Sequence, residues 1–316
     1  MNGSVPNTTV ASRPYAGEDD LIRMLDFLSS SASAGPPGAY WYPGDAVWGM
    51  YQNTVFDPVR EVRLWEGEGT LLGFAWLEEP DGVVMQVHPR LRGSGLLEDE
   101  MIDWAAGQTR AVYGERAGDE LWTRIPEDDV RLAFLLTGHG FERDPDHALK
   151  MIRDLQNGPP PILNPPAGWT VREVGDKAEW DERVETHREV WHPSRVNLEA
   201  YRRLRQAPGY HPLLDLVAVA PDGAFGSYCL CWFDPASRTG LFEPVGTRPA
   251  HRKKGLGRAV MLEGLRRLHH LGAQHAAVTA LHHNRPAAEL YESLGFRTAN
   301  SERLYGKKLR AEHSSS

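Results

Sequence analysis

Apolar residues along this chain change period several times, and the changes mark its elements. From Arg258 to about Leu271 they recur at helical spacing: Ala259, Val260, Leu262, Leu265, Leu268 and Leu271. The runs before and after this helix, 240–247 and 276–281, are short, apolar and of strand length. The first half repeats the order. A strand at 83–89 leads to a helix with Leu96, Leu97, Met101, Ile102, Trp104 and Ala105 on its apolar face, then a strand at 120–125 and a helix from about Glu127. Alternating strands and helices of this kind predict an α/β architecture built as two copies of one unit.

Between the copies lies a stretch that predicts no packed element. Residues 156–168 hold five prolines and two glycines, a composition that gives a stiff extended connector. The expected division is therefore 1–155, a linker at 156–168, and 169–312. Length agrees, since 316 residues suit two domains of about 150.

Composition narrows the class. A hydrophobic content of 41% supports real cores. No apolar run approaches the roughly 20 residues of a membrane span, and the first residues lack a secretory pattern, so a cytoplasmic protein with no membrane partner is expected. The net charge of −8 argues against general nucleic-acid binding. Cys229 and Cys231 sit two apart on a strand and read as buried positions on one face. His269-His270, His275 and His282-His283 show no zinc-ligand spacing with cysteine, and no metal is expected.

Against this acidic background one basic turn stands out. Arg252-Lys253-Lys254-Gly255-Leu256-Gly257 joins a strand to a helix N-terminus, with Arg258 just inside the helix. Unpaired N–H groups and the helix dipole favour an anion there, and the glycines let backbone approach it closely. Four cations suit a pyrophosphate better than a single carboxylate. The first half carries the same spacing, Arg90-Leu91-Arg92-Gly93-Ser94-Gly95, but its helix opens with Glu98, Asp99 and Glu100, which repel a polyphosphate.

Arg-x-x-Gly-x-Gly, the strand at 276–281, Asn284, Tyr291 and Leu294-Gly295-Phe296 occur in the order found in the GNAT superfamily of N-acetyltransferases. The chain resembles a tandem GNAT protein, most strongly over 240–297. The resemblance implies a mixed α/β sheet in two GNAT-like domains, splayed at a bulge in the 240–247 strand. It implies acetyl-CoA as acyl donor, its pantetheine arm along Val245, Gly246 and Thr247 and its pyrophosphate on 252–258. Aligned on Gly-Phe, Asp129 and Leu136 stand in the first half where Asn284 and Tyr291 stand in the second. The first half is therefore read as degenerate and the second as catalytic.

The chemistry needs a base and an acid. A primary ammonium is protonated at pH 7, a handicap of roughly 4 kcal/mol for attack on a thioester, and the departing thiolate needs a proton. The resemblance places Glu243 as base and Tyr291 as acid, with Asn284 orienting the cofactor or the tyrosine. By their own pattern these are equally a solvated strand carboxylate, a helix-face aromatic and a helix cap. His192 and Arg195, early in the second half, are weaker candidates for the acceptor side; alternatively they belong to a helix end. Trp41, Tyr42 and Trp48 cover a pocket or edge a core. The expected activity is acetyl transfer to a primary amine of a small molecule; the alternative is a non-catalytic CoA-binding module.

Overall fold

The computed structural model describes residues 10–34, 38–162 and 164–309. In chain order the elements are β1 (Val10–Pro14), α1 (Glu18–Ala34), α2 (Pro43–Tyr51), α3 (Pro58–Glu61), β2 (Val62–Gly67), β3 (Thr70–Glu78), β4 (Gly82–Val87), α4 (Glu98–Tyr113), β5 (Glu120–Pro126), α5 (Val130–Gly138) and β6 (Glu142–Asp154). There follow β7 (Thr170–Glu173), α6 (Trp180–Val190), α7 (Leu198–Leu204), β8 (Asp215–Val219), β9 (Phe225–Asp234), β10 (Thr239–Thr247), α8 (Leu256–His270), β11 (His275–Leu281), α9 (Arg285–Ser293) and β12 (Arg297–Lys308). The expected α/β order is present in both halves.

The chain forms two compact units, and they exchange segments. Residues 41–56, carrying α2, and residues 149–299 make the second unit; residues 300–309 belong with the first. The boundaries expected at 155 and 169 come from the sequence pattern, whereas the compact units divide by packing. The reason lies in specific contacts, namely α2 seated on Trp232 and the end of β12 paired with β5. The 156–168 stretch has no helix or strand among its described residues, as its prolines require.

In the first unit β1 to β4 pair antiparallel in sequence order. β5 joins β4 in parallel at Gly82 and Trp122, and residues 302–308 of β12 run antiparallel to β5. α4 buries Met101, Ile102 and Ala105 against Val83, Met85 and Val87, the faces that the apolar pattern marked.

In the second unit β7, β8, β9 and β10 pair antiparallel, β11 lies parallel to β10, and the end of β6 lies beside β11. α8 crosses this sheet with Val260, Leu265 and Leu268 fully buried, each worth about 2 kcal/mol of removed apolar surface. Close approach is possible because Gly264 has no side chain: a Cβ there would lie 2.7 Å from Phe242 Cε1 and 2.9 Å from Cys231 Sγ. Cys229 and Cys231 are free, buried and 3.9 Å apart at sulfur, two core positions on one strand face. Among the described residues no helix is long and apolar enough to cross a membrane.

Candidate active site

The second unit's sheet opens where its chemistry is expected. β10 pairs with β11 only from Thr239 to Phe242, the last partner being Val278. On its other side β10 stays with β9, but the register slips between Phe242 and Val245, so Glu243 and Pro244 form a bulge. Val245, Gly246 and Thr247 remain paired to Cys229, Tyr228 and Ser227 while their β11-facing edge is released. An extended ligand with amide groups fits such an edge.

Gly246 is not the cause of the bulge. It is small because its space is taken: a Cβ would lie 2.7 Å from Val190 Cγ1 and 2.8 Å from Tyr228 Cε1. The bulge belongs to Glu243 and Pro244, and a proline cannot donate to a ladder.

β10 feeds the basic turn. Lys253 and Gly255 both adopt left-handed backbone, at φ of 62° and 79°, and α8 begins directly after Gly255. Successive N–H groups in such a turn form an anion cradle at the helix's positive end. Gly257 packs on Thr247, with its Cβ position 3.1 Å from Oγ1, and the Ser227 hydroxyl bonds the Gly246 carbonyl at 2.8 Å. Loop and strand edge are thereby locked together. Arg252 and Lys253 are exposed; so is Lys254, which reaches His251 at 3.2 Å. Arg258 is less available, since its guanidinium bonds the Ser293 hydroxyl at 2.7 Å and carbonyl at 3.0 Å. These residues fit a pyrophosphate.

The first half's copy of this loop is filled by its own chain. Its helix, α4, begins only at Glu98, and the Glu98 carboxylate, fully buried, accepts the Gly93 N–H at 2.6 Å. Arg92 is held by Asp129 at 2.6 Å and stacks over Tyr40. An internal carboxylate thus sits on the amide of the glycine that corresponds to Gly255.

Around the bulge the second unit gathers titratable groups. Glu243 is half-buried, and its carbonyl accepts the Trp232 indole N–H at 2.7 Å. Among the described residues nothing hydrogen-bonds its carboxyl group. Burial, then the negative charge of Asp45, push that carboxyl up to about 8, with Lys150 pulling the other way. Tyr291, on α9, is buried beside Phe296, and burial together with the Glu243 charge raises its phenol above the ordinary value. Gly295, at φ of 86°, ends α9 so that the Phe296 N–H returns to the Tyr291 carbonyl at 3.1 Å. The Leu-Gly-Phe signature therefore fixes the turn that carries Tyr291. Asn284 caps α9 by accepting the Ala287 N–H, as Asp129 caps α5 through the Leu132 N–H.

His192 and Arg195 lie exposed on the segment after α6. The histidine that sequence reasoning missed is His187, one turn earlier. It is buried, with Nδ1 2.7 Å from the Tyr228 hydroxyl and its ring 5.5 Å from Trp48. Burial, then the Arg183 charge, hold it down at about 3, so it stays neutral. Trp48, Tyr51, Gln52, Arg183, His187 and Tyr201 line a narrow cleft. Trp48 is thus a pocket wall, and Tyr42 a buried residue at the start of α2. Beneath the cleft Asp215 receives Arg183 at 2.9 Å and Tyr201 at 2.6 Å, a fully buried network.

A splayed mixed sheet with a basic glycine turn defines an acyl-CoA-type transferase fold. Residues 177–296 match the acetyltransferase (GNAT) family. A mycothiol acetyltransferase of Thermomonospora curvata is 32% identical over 72% of this chain and 76% of its own length. One from a Nocardioides species is 29% identical over 77% and 84%. Among solved structures, a GCN5-related N-acetyltransferase from Sphaerobacter thermophilus superposes with a TM-score of 0.66 at 21% identity, covering 96% of both chains. A tandem GNAT protein from the clavulanic acid biosynthesis pathway gives 0.67 at 17%, covering 96% of this chain and all of that one. The chain belongs to the GNAT acetyltransferase family, is homologous to mycothiol acetyltransferases over most of its length, and is an N-acetyltransferase. The family uses acetyl-CoA, and kinship with enzymes sets aside a binding-only module.

Proposed function

We propose that the protein acetylates a primary amine of a small molecule, with Glu243 as base and Tyr291 as acid, in the second unit. One observation carries the reading. A carboxyl with raised proton affinity sits on the bulge of the splayed strand, and its charge acts on the buried phenol of Tyr291.

Val245, Gly246 and Thr247 would hold the pantetheine arm, and the turn with Arg252, Lys253, Lys254, Gly255, Leu256 and Gly257 the pyrophosphate. Arg258 contributes mainly through Ser293. Acetyl-CoA, when bound, supplies an acyl carbon to which the amine nitrogen bonds as the C–S bond breaks. The Glu243 carboxylate takes the ammonium proton, a task matched to a carboxyl held near 8 better than to an ordinary one. Tyr291 stays protonated and offers its O–H to the charge that develops on the departing sulfur. Asn284 keeps α9, and so Tyr291, in place.

The relatives' shared description makes the amine acetylated in forming mycothiol the first acceptor to try. The test is thiol release from acetyl-CoA against that amine and a panel of amino sugars and amino acids. Turnover with one amine, lost in Glu243→Gln and strongly reduced in Tyr291→Phe, is expected. Undiminished turnover in Glu243→Gln overturns the base assignment.

A further inference from the structure

The cleft beside His187 has a charged floor that the acetyl-transfer chemistry leaves unused. Arg183 of α6 lines it and is only 3% exposed. Its Nε donates to Asp215 at 2.9 Å, and the Tyr228 ring covers its planar face at 3.8 Å. Among the described residues its two terminal nitrogens make no hydrogen bond, so the forked edge of the guanidinium is left for the cleft. A buried donor edge without a partner is unfavourable, and a ligand that accepts from it removes that cost.

Charge around the cleft is one-sided. Asp215 is fully buried and already accepts Arg183, the Tyr201 hydroxyl at 2.6 Å and the Tyr210 hydroxyl at 3.2 Å. Arg205 donates to the Tyr201 hydroxyl at 3.1 Å, and Arg203 lies 5.9 Å over the ring of Tyr51, a cleft wall. Among the described residues no carboxylate lines the cleft itself. The cleft also shares a helix with the bulge. Gly44, in the first turn of α2, lies against Trp232, whose indole N–H holds the Glu243 carbonyl at 2.7 Å. Trp48, one turn on, lies 5.5 Å from the His187 ring, and Gln52 lines the cleft at the helix end. Along α2 the two places are about 5–10 Å apart.

We infer that this cleft is an anion subsite for the acceptor: the terminal N–H groups of Arg183 receive a carboxylate carried at the far end of the amine that Glu243 deprotonates. A guanidinium fork matches a carboxylate in two parallel hydrogen bonds. The remaining walls, Val184, Val196 and Leu204, are apolar and suit the chain that joins the two ends. The acceptor class is therefore a small amino carboxylate with several bonds between its charges, rather than a simple alkylamine.

The acceptor role rests on Glu243 being the base, and the test separates the two ideas. The full chain, labelled with nitrogen-15 at its tryptophan indoles, is titrated with sodium propionate. Propionamide serves as the neutral isostere and sodium chloride at equal ionic strength as control. Trp48→Phe assigns the Trp48 resonance. Propionate should shift it saturably, and propionamide about tenfold more weakly or less. Gln52→Glu puts a carboxylate into the cleft and leaves the Arg183–Asp215 pair intact, and it should weaken propionate about tenfold. Arg183→Lys keeps a cation beside Asp215 but removes the fork, and it should do the same. Turnover is then compared for amino carboxylates from glycine to 6-aminohexanoate and for the corresponding amino amides. At the best chain length kcat/KM should favour the carboxylate about tenfold, and Gln52→Glu should erase the preference through KM while kcat stays within a factor of a few. Equal shifts by propionate and propionamide, or equal kcat/KM for carboxylates and amides, overturn the subsite. Undiminished turnover in Glu243→Gln overturns the base assignment instead, and the propionate titration decides the cleft either way.

Discussion

The Tyr228 hydroxyl lies 2.7 Å from Nδ1 of His187 and accepts the Trp191 indole N–H at 2.8 Å, so one phenol oxygen ties two side chains of the α6 region to β9. The His187 ring is kept uncharged by burial and by Arg183. The Tyr228 ring also covers the Arg183 guanidinium at 3.8 Å and fills the space over Gly246. One phenol thus links the cleft beside His187 to the strand edge.

Tyr228→Phe should cost about 1–3 kcal/mol of stability, since it leaves the Trp191 N–H and His187 Nδ1 without a buried partner. Urea unfolding measures the loss. Nitrogen-15 NMR of the imidazole should show the Nδ1 shift of His187 change when its phenol partner is removed.

Glu243 dictates a pH profile. Its carboxyl acts as base only when ionised, so kcat/KM should rise with pH through about 8 and level off above it. The sign for stability is opposite. A carboxyl raised in the folded state favours folding while protonated, and that contribution is lost as pH climbs from the unfolded value near 4.5 through about 8. Glu243→Gln should therefore raise Tm, more at pH 9 than at pH 5. A Tm gain that does not grow with pH would remove the buried-carboxyl argument.

Tyr291→Phe should lower kcat by about 10²-fold or more while acetyl-CoA affinity stays within a factor of a few. The fold should survive, because the ring that packs on Phe296 is retained. Equal kcat in the variant would take the phenol out of the mechanism.

Acetyl-CoA should bind once per chain. The second unit's turn is open and cationic, whereas Glu98 occupies the Gly93 amide and Asp129 holds Arg92. Calorimetric titration should give one site, abolished by Arg252→Glu with Lys254→Glu. Two sites would mean that the first loop still takes cofactor.

Local pattern carried the α/β order, the basic turn and Tyr291, because each is written in contiguous residues: α8 was expected from 258 and begins at Leu256, and β11 was expected at 276 and begins at His275. A bulge somewhere in the 240–247 strand was expected from the resemblance, but its place at Glu243 and Pro244 was not legible, and only packing shows that Gly246 is small because Tyr228 and Val190 take its space. What the sequence hid depends on long-range contact. Asp45, Lys150 and His187 lie far from Glu243 in the chain and match no motif. The pattern of α6 gave no sign that His187 faces inward, and nothing in the segment after it showed that His192 is exposed. The exchange of α2 and β12 was hidden for the same reason.

β12 pairs residues 302–308 with β5, so the first unit's sheet takes its last strand from the far end of the chain. During synthesis the ribosome releases β1 to β5 long before that partner exists. The N-terminal unit is thus the one that must wait, with the β5 edge bare for the seconds that the remaining residues require, and the order of translation is not the order of completion. Nascent chains arrested after residue 296 should be cleaved near β5 by added protease, and chains arrested late enough to expose residue 308 should resist.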